Sequence, residues 1–327
     1  MTAEMRPDRW LSFIGREYLH EFLKAGGASI KFVAPHDSTA TAAILGGVEG
    51  AAKAQGYLVA GVSAAETRVH MMDQLFFRIA EQIPWEPLAV LVLSNLVRSQ
   101  GYAVPPLDEA SFVDALASAN NLDTQFLRLQ LYRKVQNMVS KRRSLAKDFR
   151  VAMTHLCLAQ LSGGSDGATT TEAITDWLTG KVKTVGAVKP YQIFTRIHRT
   201  NARFVFESML DWIRFAGFPG LVVTLDLARI TLAKNPRDGF IYYTKTSRLD
   251  GYELLRQFVD ATDRLAGFLL VVVPDFEFLD ESAGGRGVGE YQALKFRVYD
   301  EIRDSKLVNP MSALVRVSSD APEVALA

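Results

Sequence analysis

The chain has 327 residues, enough for one large domain or two ordinary ones. At 48% hydrophobic and 22% charged it has a globular composition, not a disordered one. Its 37 basic and 36 acidic side chains leave a net charge of +1, which excludes a globally basic nucleic-acid binder and leaves room only for a local patch.

In chain order, residues 1–10 mix charges of both signs and lack an apolar signal core. Trp10, Ile14, Tyr18, Phe22 and Leu23 then fall near helical spacing and predict an amphipathic helix over 7–25, stopped by Gly26-Gly27. Residues 29–33 read as a short strand, 34–37 as a turn, 38–54 as a helix and 57–62 as a second strand. A strand–helix–strand unit of this kind implies a parallel sheet. From Arg68 to about Ala216 the pattern is mostly helical, with helices predicted over 75–83, 89–100, 111–119 and 124–161. The segment 101–108, with Pro105-Pro106, and the segment 162–167 (SGGSDG) read as interruptions, the second as an exposed loop.

Sheet character returns with the apolar run 220–226, as expected of a central parallel strand. A helix over 247–265, a buried strand over 267–273, a glycine-rich loop over 280–289, a helix over 291–303 and a last strand over 313–317 follow. The longest apolar runs, 88–93 and 268–273, are far shorter than the roughly 20 residues of a membrane span. Cys157 is the single cysteine, which excludes an internal disulfide framework. A cytoplasmic protein without membrane attachment is the expectation. The organisation expected is an α/β sheet core over 1–67 and 216–317, a helical insertion over 68–215 and a tail over 318–327.

Two segments carry fragments of nucleotide chemistry. A phosphate-binding loop reads G-x-x-x-x-G-K-[ST] between a strand and a helix: glycines let backbone N–H groups curl around phosphates, lysine supplies charge, and the hydroxyl holds Mg²⁺. Residues 34–41 have that position but read A-P-H-D-S-T-A-T. Ala34 and Thr39 stand where glycines belong, Ala40 stands where lysine belongs, and Thr41 keeps the hydroxyl; Ser38 lies between them. An ordinary strand–helix turn is the plain alternative. The apolar strand ending in Asp226 matches the Mg²⁺-holding half of the same machine, but Leu227 stands where many ATPases place a catalytic glutamate. Read alone, Asp226 is equally a cap or a solvated turn residue.

Several blocks together resemble the P-loop ATP-binding proteins of BREX-type phage-defence systems, and the chain looks BrxD-like. They are EYLHEFLKAGGASIKFV (17–33), DWLTGK (176–181, a W-L-x-G signature), RFAGFPGLVVTLD (214–226), LDGYELLRQFV (249–259), LAGFLLVVVPDFEF (265–278) and EYQAL (290–294). The blocks keep the family's order over roughly 12–317. The resemblance implies a P-loop NTPase-like (ASCE/AAA-like) sheet with a helical insertion. It also implies ATP and Mg²⁺ as the family's cofactors, and partners among copies of this chain or other defence proteins.

Against that pattern, both loop glycines, the lysine, the glutamate after Asp226 and the polar sensor (here Pro274) are replaced. One charge beside a phosphate contributes about 4 kcal/mol at an effective dielectric of 20. Its loss predicts a catalytically inactive subunit, a scaffold or regulator, with no cofactor expected.

Arg286 and Arg297 lie where oligomeric P-loop ATPases place arginines that reach a neighbour's nucleotide; two solvated surface arginines are the alternative. A helix predicted over 128–150 carries eight basic residues, among them Arg133, Lys134, Lys141, Arg142, Arg143 and Lys147, against Asp148 as the only acid. It reads as a solvated face, a dock for an acidic partner or a DNA-binding patch. His36, His70, His155, His198 and Cys157 lack metal-ligand spacing and read as core or surface residues. Two rival functions remain: a hydrolase borrowing a cation from Lys31, Lys53 or a partner, and a DNA-binding module using the basic helix.

Overall fold

The computed structural model describes residues 4–104, 112–282, 285–299 and 308–321. Pro105-Pro106, Ser111, Gly284, the end of the 291–303 helix and the tail beyond Ala321 lie outside the described residues. In chain order the elements are α1 (Pro7–Phe13), a π-helical continuation (Ile14–Phe22), β1 (Ala28–Pro35), α2 (Ser38–Ala54), β2 (Leu58–Ser63) and α3 (Met72–Ala80). Next come α4 (Trp85–Ser99), α5 (Phe112–Asn120), α6 (Thr124–Ser140), α7 (Lys147–Ser162), α8 (Gly164–Leu178) and α9 (Ala202–Phe215). The chain closes with β3 (Leu221–Asp226), α10 (Lys245–Asp260), β4 (Phe268–Val273), α11 (Gln292–Val298) and β5 (Leu314–Val317). Two compact units result: Met1–Ile79 with Pro219–Ala327, and Ala80–Phe218.

The first unit is built on a parallel sheet in the order β2-β3-β4-β1-β5. β3 and β4 are interior strands, and they read as near-continuous and continuous apolar runs because both of their faces are covered. On α2, Ala40, Ile44, Val48 and Ala52 recur every fourth residue and pack with Trp10, Phe13, Val33, Val271 and Val273. Gly220 explains its own place before β3. Its φ is +156°, and a Cβ there would lie 1.8 Å from the Gly267 carbonyl oxygen, which accepts from Leu221 N–H at the start of the β3–β4 ladder.

Three predicted boundaries are corrected. The helix predicted over 7–25 is α-helical only to Phe13, then widens to i→i+5 bonding, as in Leu23 N to Tyr18 O at 3.0 Å. Side chains from after α2 capture carbonyls of the wide segment: Tyr57 OH donates to Leu19 O (2.7 Å) and Gln55 Nε2 to Gly15 O (3.0 Å). The helix predicted over 124–161 is two helices, α6 and α7. The break between them is held from α9, where Asp211 accepts from Arg142 Nη2 (2.5 Å) and Ser144 Oγ (2.7 Å), and Ser208 Oγ accepts from Ala146 N (2.8 Å). The predicted loop over 162–167 is not a loop: Gly163 and Gly164, with φ +64° and +62°, turn the chain, and α8 starts at Gly164. Gly167 lets α8 close on α7, since a Cβ there would lie 2.6 Å from the Ala159 carbonyl oxygen.

Candidate nucleotide site

The site positions meet at the carboxyl ends of the strands, where α/β sheets bind ligands. The turn expected over 34–37 is shorter than the sequence implies. Ala34 and Pro35 still pair with Arg316 and Val317 of β5, so only His36 and Asp37 separate β1 from α2. Asp37 is the N-cap of α2. Its Oδ1 accepts from Ala40 N (2.7 Å) and Ser319 Oγ (3.1 Å), and its Oδ2 from Ser319 N (3.1 Å). These donors, led by the Ala40 amide, hold the Asp37 carboxyl below its ordinary pKa. Thr41 Oγ1 turns back to donate to Asp37 O at 3.1 Å. Ser38 and Thr39 face solvent, while Ala40 is fully buried. The end of α2 that would attract phosphate thus carries the chain's own anion.

His36 Nδ1 lies 3.1 Å from Glu4 Oε1, which raises its pKa, and its ring lies 4.9 Å from that of exposed Phe276. The two lysines offered as substitutes are engaged elsewhere. Lys31 is buried, donates to Met311 O (2.5 Å) and Ser312 O (3.2 Å), and is pushed down to about 8 by burial. Lys53 sits in the last turn of α2, 3.8 Å from Glu49, about 24 Å along the helix from Asp37.

Asp226 ends β3 in register with Ser63 and Val273. Its Oδ1 accepts from Ala228 N (2.9 Å), and Ser63 Oγ lies 3.4 Å from its Oδ2. Leu227 is 1% exposed and belongs to the core. One residue past Pro274 the structure adds a group the sequence reading missed. Asp275 accepts from Thr231 Oγ1 and from Phe278 N (3.0 Å), and burial, seconded by the charges of Glu277 and Asp226, pushes it up to about 6. A polar residue directly after an apolar strand was the available signal. Between about pH 4 and 6 folded Asp275 keeps a proton that the unfolded chain has released, so stability falls as pH rises through that window. Asp275→Asn is expected to flatten this fall, read by urea unfolding across the same pH range.

The arginines expected to act on a neighbour are tied within this chain. Arg286 donates through Nε to Thr231 O (2.7 Å) and through Nη2 to Tyr243 O (3.2 Å), while its own carbonyl accepts from Tyr252 OH (2.7 Å). Arg297 pairs with Asp260 and donates to Ala293 O (2.7 Å). The blocks around them interlock. Arg248 pairs with Glu290, Tyr291 OH donates to Glu253 Oε2 (2.6 Å), and the Arg256 guanidinium holds Glu253 down to about 2.

In the other unit, Arg133, Lys141, Arg143 and Lys147 are exposed, Lys134 donates to Gln100, and Arg142 is committed to Asp211. The histidines are dispersed: His70 lies edge-on to Tyr243, His155 lies against Tyr191, and His198 lies 2.9 Å from Thr200 Oγ1. Among the described residues no group of three or more His, Cys, Asp or Glu side chains could hold a metal ion, and no helix is long and apolar enough to cross a membrane.

β1 lies between β4 and β5, and β4 separates it from the Asp-ending β3. With a helix opening straight after β1, this is the arrangement of the ASCE class of P-loop proteins. The chain belongs to the BREX system ATP-binding protein BrxC/D family, whose model matches residues 107–323. The match covers the blocks from DWLTGK onward and leaves the β1–α2 corner outside it. No curated protein and no solved structure matches the chain.

Proposed function

We propose that the chain is a P-loop-fold subunit that does not hydrolyse ATP and serves as scaffold or regulator in an anti-phage BREX assembly. The observation that carries this reading is Asp37. The helix N-terminus that would hold a phosphate is capped by a carboxylate, which repels a second anion. The positions of the missing lysine and glutamate, Ala40 and Leu227, have become core. The neighbouring surface is suited to protein contact: Phe276, whose ring lies 4.9 Å from that of His36, is 46% exposed. The occupants proposed for it are a second copy of the chain or other proteins of the same system.

Calorimetry with Mg-ATP is expected to show no binding below about 1 mM. Micromolar affinity that Thr41→Ala abolishes would overturn the reading, as would a chain that stays a lone monomer in its native host.

A further inference from the structure

The segment between α8 and α9 is a ribbon without regular secondary structure beyond two single 3₁₀ turns, Val185–Ala187 and Lys189–Tyr191. Val182, Val188, Ile193 and Ile197 are buried and peg it to its unit. Trp177, itself 2% exposed, donates its indole N–H to Thr195 O at 2.9 Å. Nearly everything between the pegs faces solvent, including Lys181, Lys183, Lys189, Phe194, Arg196, His198 and Arg199. From Trp177 to Phe206 the chain has six basic residues and no acid; the nearest are Asp176 and Glu207, and Glu207 lies 3.8 Å from Arg203.

This ribbon meets the first turn of α7. Asp148 Oδ2 accepts from Thr195 N (3.0 Å) and from Thr195 Oγ1, which ties the stretch carrying Phe194 and Arg196 to the helix turn that opens on exposed Lys147. Arg196 Nη1 donates to Lys183 O (3.2 Å), bringing Lys183 to the same place. Two acids of this unit are already engaged, Asp148 by Thr195 and Asp211 by Arg142 and Ser144. Two stretches about forty residues apart thus form one positive surface with a large aromatic, Phe194, standing 55% exposed within it. A face for an acidic protein needs only the charge. Cations around an exposed ring match a strand of nucleic acid, whose phosphates take the cations while an unpaired base stacks on the ring.

We propose that this surface, centred on Lys147, Lys183, Lys189, Phe194 and Arg196, binds single-stranded nucleic acid without sequence preference. The proposal concerns a different unit from the nucleotide site and stands or falls apart from the reading of that site.

The test is fluorescence anisotropy of the whole chain with a labelled oligothymidylate of about 20 nucleotides and with a matched duplex, titrated from about 50 to 200 mM salt. The expected result is binding to the single strand that exceeds binding to the duplex about tenfold, with a logarithmic salt slope of roughly −3 for four phosphate contacts. Lys183→Ala/Lys189→Ala/Arg196→Ala should weaken it at least about tenfold and flatten the slope by roughly 2. Phe194→Ala should weaken it about tenfold and leave the slope unchanged, because stacking releases no counterions. All four side chains are exposed, so the variants should keep the wild-type circular dichroism. The proposal is overturned if the wild type binds no single strand at low salt, if the triple variant binds as well as the wild type, or if duplex and single strand bind equally with Phe194→Ala silent.

Discussion

Ala40→Lys and Leu227→Glu, the substitutions that write the missing catalytic residues back, are expected to destabilise the sheet unit and restore no turnover. Ala40 is 0% exposed and packs in the cluster of Trp10, Phe13, Ile44 and Val273, so a lysine must displace well-packed side chains and carry its ammonium past them. Overpacking a core costs about 1–3 kcal/mol, and an unpaired buried charge adds to that. Leu227 is 1% exposed; glutamate there forfeits about 2 kcal/mol of burial and sets a third carboxylate near Asp226 and Asp275. Each variant should lower the melting temperature by roughly 10 °C, given about 2–4 °C per kcal/mol for a unit of this size. Ala34→Gly and Thr39→Gly, added to them, do not lengthen the two-residue connection between β1 and α2. A stable quadruple variant that hydrolyses ATP would refute this account.

Glu290→Ala is expected to cost about 3–5 kcal/mol, because it leaves the Arg248 guanidinium buried without its counter-charge. Arg248 is 2% exposed and donates through Nε (2.8 Å) and Nη2 to one oxygen of Glu290, joining α10 to the turn Val288–Glu290 before α11. Lys245, 3.7 Å from the other oxygen, is exposed and cannot replace the carboxylate for a buried partner. The double variant Arg248→Met/Glu290→Leu should recover most of the loss, since a well-packed apolar pair often equals a buried ion pair. Urea unfolding of the single and double variants gives the coupling. A loss below about 1 kcal/mol in Glu290→Ala would show that the pair is solvated.

The sheet was legible because its signals are local. A near-continuous apolar run at 221–226, a continuous one at 268–273, and the four-residue spacing of Ala40, Ile44, Val48 and Ala52 are properties of neighbouring residues. The substituted loop and Leu227 were equally plain, since a missing lysine needs no coordinates to be noticed. The resemblance was read from ordered blocks over roughly 12–317, and the family model matches the part over 107–323.

Partners distant in sequence decided the rest. That 124–161 is two helices follows from Asp211 and Ser208, more than sixty residues on, capturing Arg142, Ser144 and Ala146. That Arg286 binds Thr231 and Tyr243 carbonyls depends on loops 43 and 55 residues away. The ribbon over 181–200 has no periodicity to read, and Asp148 reaching Thr195 ties it to the first turn of α7. Composition and spacing determine which stretches can form strands and helices, because those depend on backbone preference and burial period. Which charges are spent inside the fold and which still face solvent depends on donors and acceptors brought together by packing, and that only the tertiary structure decided.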